Sequence, residues 1–251
     1  MRNVSNTKLA SRNRKVATYL FFVTMIVLVG GFIFINYGLF TGETPDSTIL
    51  LLQSIILPIA FILTLVSVRM TNQWVRKPRP EDAIEAGLKG LSNKSVLYNY
   101  YYKPANHILI CPQGVFVLVT KWHNGRFSVT GSPKGDQWKS HQSFLTRIFS
   151  ALRMDGIGNP TQEVVKSVKA VETLLQDINK DVPVRGAVVF IDPSATIEVN
   201  NPSIPVLYAD NKRKPNLTTY LRDVGKVQGG DKNEMPLTPE EIEQLEAILI
   251  K

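Results

Sequence analysis

The chain has 251 residues, 44% of them apolar and 20% charged, with a formal charge of +8. That balance excludes a disordered or collagen-like chain. A single cysteine, Cys111, excludes an internal disulfide framework and any zinc site needing two thiolates; His107, His123 and His141 are the only histidines.

The charge is unevenly spread. Between 16 and 68 there is no Lys or Arg, and Glu43 and Asp46 are the only acids. Residues 1–15 carry Arg2, Lys8, Arg12, Arg14 and Lys15 and no acid. Two apolar runs, 16–40 and 49–68, each have the roughly 20 residues that a helix needs to cross a ~30 Å hydrocarbon core. The first run exceeds the 7–15 residues of a signal-peptide core, and a second follows at once. Pro58 is expected to kink the second helix. Tyr19, Tyr37 and Trp74 fall near the ends of the spans, where amphipathic rings favour the interface. Basic residues flank the pair on both outer sides (1–15, then Arg69, Arg76, Lys77 and Arg79), whereas the loop 41–48 is short and acidic. The positive-inside rule then puts both termini in the cytoplasm of a multi-pass plasma (cytoplasmic) membrane protein, with the lipid bilayer as its first partner.

A Pro-containing linker, 69–80, leads into 81–251, long enough for one domain with a real core. The spacing of Ile84, Leu88 and Leu91 predicts a helix from about Glu81. Strands follow at 95–102, 107–111 and 115–122. Asn124-Gly125 is a hairpin signal before 126–131, so an antiparallel meander is expected. Asn159, Pro160 and Gln162 open a helix whose face is Val164, Val165, Val168, Val171, Leu174, Leu175 and Ile178. The continuous apolar run 184–191 predicts a buried central strand, and 205–209 another. Thr238-Pro239-Glu240-Glu241 is a capping box before a last helix with Ile242, Leu245, Ile248 and Leu249 inward. The class is α/β, a sheet with flanking helices.

No nucleophile elbow, phosphate loop or zincin motif is present. One constellation stands out. Asn106 opens an apolar strand that runs into the turn Pro112-Gln113-Gly114. A second strand, Val115 to Val119, then leads to Lys121 and Gly125. With Glu81 in the early helix and Asn159-Pro160-Thr161-Gln162 opening the later one, this segment resembles the nuclease-related domain, NERD, over roughly 80–210. The resemblance implies a restriction-endonuclease-like core, so the expected α/β architecture is the two apolar transmembrane helices read above followed by a restriction-endonuclease-like sheet with flanking helices. It also implies a remnant catalytic set of Lys121, Glu81, Gln162 and Asn106.

In active members an Asp on the first strand and a Glu two residues before the Lys hold a divalent metal, Mg²⁺ being the expected ion. Residues i and i+2 of a strand share a face, and such a cation activates water. Here those positions are Asn106 and Val119. Valine has no ligand atom, so no metal ligand and no cofactor is assigned, and the site reads as degenerate. The alternative is an active metal-dependent nuclease that recruits acids from elsewhere, such as Glu81 and Asp136. Each retained residue also has a plainer reading: Lys121 as a solvated strand end, Gln162 as a capping-turn residue, Glu81 as a helix-start acid, His107 as a hydrogen-bonded structural group.

Residues 121–153 carry Lys121, Arg126, Lys134, Lys139, Arg147 and Arg153 against Asp136 alone, interleaved with Trp122, Phe127, Trp138, Phe144 and Phe149. Basic groups among aromatics suit a phosphate backbone with stacked bases, an anionic lipid surface, or a solvated face over a small core. Lys121, Arg126, Lys134 and Lys139 are the nucleic-acid candidates. The reading is a membrane-anchored module that binds nucleic acid or a protein partner.

Overall fold

The computed structural model of the chain describes residues 1–42, 46–141, 156–179, 181–228 and 235–250. Lys8–Lys77 belong to one compact unit, and Met1–Thr7 join most of 78–251 in another.

The first unit holds α1 (Thr7–Ile35), the short α2 (Tyr37–Thr41) and α3 (Ser47–Trp74). At 29 and 28 residues, α1 and α3 are long and apolar enough to cross a membrane. α3 runs past its apolar stretch at both ends, whereas α1 starts well before its own, so that Lys8 to Lys15 lie inside it, and stops at Ile35, short of residue 40. Asp46 starts α3 by accepting a hydrogen bond from the Ile49 amide at 2.8 Å, and Pro58 lies within that helix. Small residues are buried along the pair: Ala17, Thr24, Gly31, Ala60 and Ser67. A Cβ on Gly31 would sit 2.9 Å from Ile56 Cγ2, so the helices pack closely there. Gln53 Nε2 donates to the carbonyls of Phe34 and Ile35, each at 3.2 Å. Phe22, Ile26 and Phe32 point outward.

The second unit is a mixed α/β body. Its elements are β1 (Arg2–Ser5), α4 (Pro80–Gly87), β2 (Val96–Asn99), β3 (His107–Cys111), β4 (Gly114–Lys121), β5 (Gly125–Thr130), β6 (Gln137–Ser140), α5 (Pro160–Leu175), β7 (Val184–Phe190), β8 (Ala195–Asn200), β9 (Val206–Tyr208), α6 (Leu217–Gln228) and α7 (Pro239–Leu249). Six strands form one sheet in the order β1-β2-β3-β4-β7-β9, and three form a second in the order β6-β5-β8. β2, β3 and β4 are antiparallel neighbours; β1 runs parallel to β2, and β7 parallel to β4 and β9.

Strand alternation sorts the core onto the two faces of the large sheet. Leu97, Leu109, Phe116, Leu118 and Val189 meet Ile84 and Leu88 of α4 and Leu217 and Leu221 of α6. On the other face, Val96, Tyr98, Ile110, Val115 and Val117 meet Val171 and Leu175 of α5 and Leu245 and Leu249 of α7. A third cluster joins Val188 and Phe190 of β7 to Val164 of α5 and to Phe127 and Val129 of the small sheet. Helix α5 lies unusually close to β7: a Cβ on Gly186 would come within 2.1 Å of Val164 Cγ1. The capping box at Thr238 and Glu241 is formed.

Three expectations change. The segment after Asn124-Gly125 does not complete a hairpin with β4, because β3 and β7 occupy both edges of β4; Gly125, at φ 98°, instead turns the chain into the second sheet. Val165 and Ile248 are exposed at the rims of their helices, at 56% and 45%. The stretch 1–15 is not a separate tail: Arg2–Ser5 is the edge strand of the large sheet.

Candidate functional site

The site lies where β3 begins and β4 ends. The β3/β4 register pairs Ile108 with Val117; carried two steps on, it sets Asn106 level with Val119. Both residues line a small cavity of about 200 Å³ with His107, Thr120, Glu163 and Lys166. Lys121, two residues past Val119, shares the face toward α5. Its ammonium is largely buried, and Nζ donates to Glu163 Oε1 at 2.6 Å, a short charge-assisted contact. Glu163 sits in the first turn of α5, where the Asn159 side chain accepts from the Gln162 amide at 3.2 Å, and the close α5–β7 packing holds that turn over the strand end.

The sequence candidates include Gln162 but not Glu163, the next residue and the fourth after Asn159. The segment that the NERD resemblance implies carries its helix residue at that fourth position, which is the signal for Glu163. Gln162 itself is exposed.

Glu81 is placed on the other side of the sheet. Helix α4 packs on the face of Phe116 and Leu118, opposite Val117 and Val119, and the buried Glu81 carboxylate accepts from Tyr100 Oη at 2.6 Å. The structure thus brings together Asn106, Val119 and Glu163, with Lys121 held by Glu163, and sets Glu81 and Gln162 apart. His107 follows Glu81's face: its ring lies edge-on to Tyr100 at 5.1 Å, and Nδ1 is 2.7 Å from Asn99 Oδ1. Burial pushes its pKa down to about 3, so the ring is neutral and structural at ordinary pH.

Asp136 has a full set of partners. It accepts from the Ser203 amide and hydroxyl, each at 2.9 Å, and from Thr161 Oγ1 at 2.8 Å. Burial works against its ionisation, but these bonds outweigh it and hold the carboxyl below the usual carboxylate range. It ties the β6 entry to the loop before β9 and to the first turn of α5, and it does not line the cavity at the β4 end.

The basic segment divides similarly. Arg126 pairs with Glu198 on the neighbouring strand at 3.0 Å, while Lys134 and Lys139 are exposed. The aromatics turn inward: Phe127 is buried, Trp138 stacks on Phe190 with its indole N–H on Thr161 at 2.9 Å, and Trp122 stacks on His123. Phe144, Arg147, Phe149 and Arg153 lie outside the described residues.

The donor set does not fit the divalent metal of active relatives. A hard dication wants several oxygen ligands. The two strand positions offer an amide and an isopropyl group, and the cavity's carboxylate, Glu163, is already neutralised by Lys121. Among the described residues no group of three or more His, Cys, Asp or Glu gathers around one point.

Residues 79–191 match the family model of NERD, Nuclease-related domain, which spans α4 to the end of β7. No curated protein and no solved structure matches the chain. The family match encloses the strand-turn-strand that ends at Lys121, and the chain therefore carries a nuclease-related (NERD) domain.

Proposed function

We propose that this chain is a membrane-anchored, non-cleaving NERD module that binds the phosphate backbone of nucleic acid. The observation that carries this reading is the Lys121–Glu163 ion pair beside Val119. In a nuclease of this fold the strand lysine works beside carboxylates that hold a cation. Here the lysine is matched one-to-one by a carboxylate, leaving no net negative charge at the cavity to attract a dication.

Anchoring rests on α1 and α3, which bury small residues against each other and turn large apolar ones outward. Met1–Thr7 and the NERD domain share one compact unit, which supports a hairpin with both ends on the same side. The basic flanks favour the cytoplasmic side for that unit.

Binding is assigned to Arg126, Lys134 and Lys139. Since Trp122, Phe127 and Trp138 are engaged in packing, the interaction is electrostatic rather than stacked. It follows that affinity for single- or double-stranded DNA falls steeply with salt. Lys134→Ala and Lys139→Ala are each expected to lower the slope of log K against log salt by about 1. A slope near zero, or one that neither variant changes, removes the nucleic-acid assignment and leaves a protein partner.

Glu163 also gives the second reading a definite form. Mg²⁺-dependent cleavage lost in both Lys121→Ala and Glu163→Gln would mean that Glu163 supplies the carboxylate missing at Val119.

A further inference from the structure

The small sheet turns one face into the core and keeps the other polar. On β5, Phe127 and Val129 pack with Val188 and Phe190, while Arg126, Ser128 and Thr130 alternate onto the opposite face. We propose that this outer face is a platform for duplex nucleic acid centred on Ser128, a placement that rests on the backbone-binding reading above.

The register builds the platform in rows. Ser128 lies between Lys139 of β6 and Glu198 of β8. One step along, the His141 amide donates to the Arg126 carbonyl at 2.9 Å, which extends the β5–β6 ladder and sets His141 opposite Arg126. The row through Thr130 holds a hydroxyl and two amides and no charge. Same-face neighbours stand about 6.8 Å apart along a strand, and adjacent strands about 4.8 Å apart. Arg126, Lys139 and His141 are thus all neighbours of one hydroxyl, and Ser128 Oγ is 2.9 Å from His141 Nε2. Ser128 is half-buried and the other three are exposed. Lys134 lies in the turn between β5 and β6, at the far end of that hairpin from Arg126, so cations bracket the uncharged row.

A guanidinium, an ammonium and a hydroxyl gathered this closely fit one phosphate group, the contact that positions a nucleic-acid backbone. Arg126 Nε meets Glu198 Oε1 at 3.0 Å, which engages one of the five guanidinium N–H donors. The rings of the two strands are not on this face. Phe127 is buried, and Trp138 stacks on Phe190 with its indole N–H on Thr161. Proteins that hold single strands stack unpaired bases on aromatic rings. A duplex keeps its bases stacked on one another and presents phosphate and sugar oxygens, the groups that hydroxyls, amides and cations contact. The face therefore matches the duplex form. Glu198 is the acid among these cations, so it orients Arg126 and also weakens the attraction for a polyanion.

The test is binding of two forms of DNA by the full chain in neutral detergent at low salt. The probes are a duplex of about 20 base pairs and an oligothymidylate strand of equal length. The duplex is expected to bind about tenfold tighter. Ser128→Ala is expected to weaken duplex binding by about threefold to tenfold, and to leave the single strand's affinity and the thermal unfolding midpoint unchanged. Ser128→Thr, which keeps the hydroxyl, is expected to bind as the native chain does. Glu198→Gln is expected to tighten duplex binding about threefold, a gain that loss of folding cannot mimic. Equal affinity for the two forms, or tighter binding of the single strand, overturns the duplex platform and leaves the backbone-binding reading standing. Duplex affinity that neither Ser128→Ala nor Glu198→Gln alters has the same consequence. Binding of neither form overturns the backbone-binding reading itself and leaves the face to an acidic protein surface.

Discussion

The helical pair and the NERD domain bury opposite things. In α1 and α3 the inside is Ala17, Gly31, Ala60 and Ser67, and the outside is Phe22, Ile26, Phe32 and Leu51. In the domain the inside is Tyr98, Phe116, Phe127 and Phe190, and charge other than Glu81, Lys121 and Asp136 mostly faces out. On the membrane reading proposed above, apolar surface that finds no water outside needs no burial within, and close backbone approach replaces side-chain bulk as the source of packing. The same residue type therefore has different consequences in the two units.

The largest expected contrast is between phenylalanines. Phe190→Ala removes a ring packed against Phe127 and Trp138 and is expected to cost the domain about 3–5 kcal/mol in denaturant unfolding. Phe22→Ala is expected to leave the domain's transition where it is; an equal loss would break the contrast. Acid gives the next. His107 has its pKa near 3 in the folded domain, held down by burial, against about 6.5 unfolded. The unfolded chain then binds the extra proton between those values. The contribution is complete above pH 6.5 and is lost as pH falls toward 3, about 2–3 kcal/mol by pH 4.5. The buried residues of the helical pair include no titratable group, so urea titrations at pH 7 and 4.5 are expected to move the domain alone. The smallest contrast is between glycines. Gly186→Ala drives a Cβ into Val164 and Val168 and is expected to cost about 1–3 kcal/mol, lifting the first turn of α5 away from Lys121. Gly30→Ala meets nothing within 4 Å and is expected to be neutral or slightly stabilising, as read by thermal unfolding in detergent.

Much of the fold was legible because its signals are local. The run 184–191 announces a strand buried on both faces, and the capping box at Thr238 announces α7. What escaped notice lacked such signals. β1 is four residues, two of them polar on one face, and its partner β2 lies some ninety residues away. β6 is as short, and its Trp138 looks like a ligand-stacking ring until Phe190 is placed beneath it. At the site, the strand positions Asn106, Val119 and Lys121 could be read from their spacing along β3 and β4. Glu81 could not be sided, because an i to i+4 pattern shows that α4 has a buried face but not which face of the sheet receives it. Glu163 carries no such signal, because an acid in the first turn of a capped helix is favoured by the helix dipole whether or not it has a partner on the sheet.

The central claim is that the Lys121–Glu163 pair closes the nuclease site. Its most direct test is a cleavage assay on the purified full chain with Mg²⁺ and with Mn²⁺, run beside Lys121→Ala and Glu163→Gln. The account predicts no metal-dependent cleavage by the native chain. Cleavage that depends on the metal and disappears in both variants would contradict it.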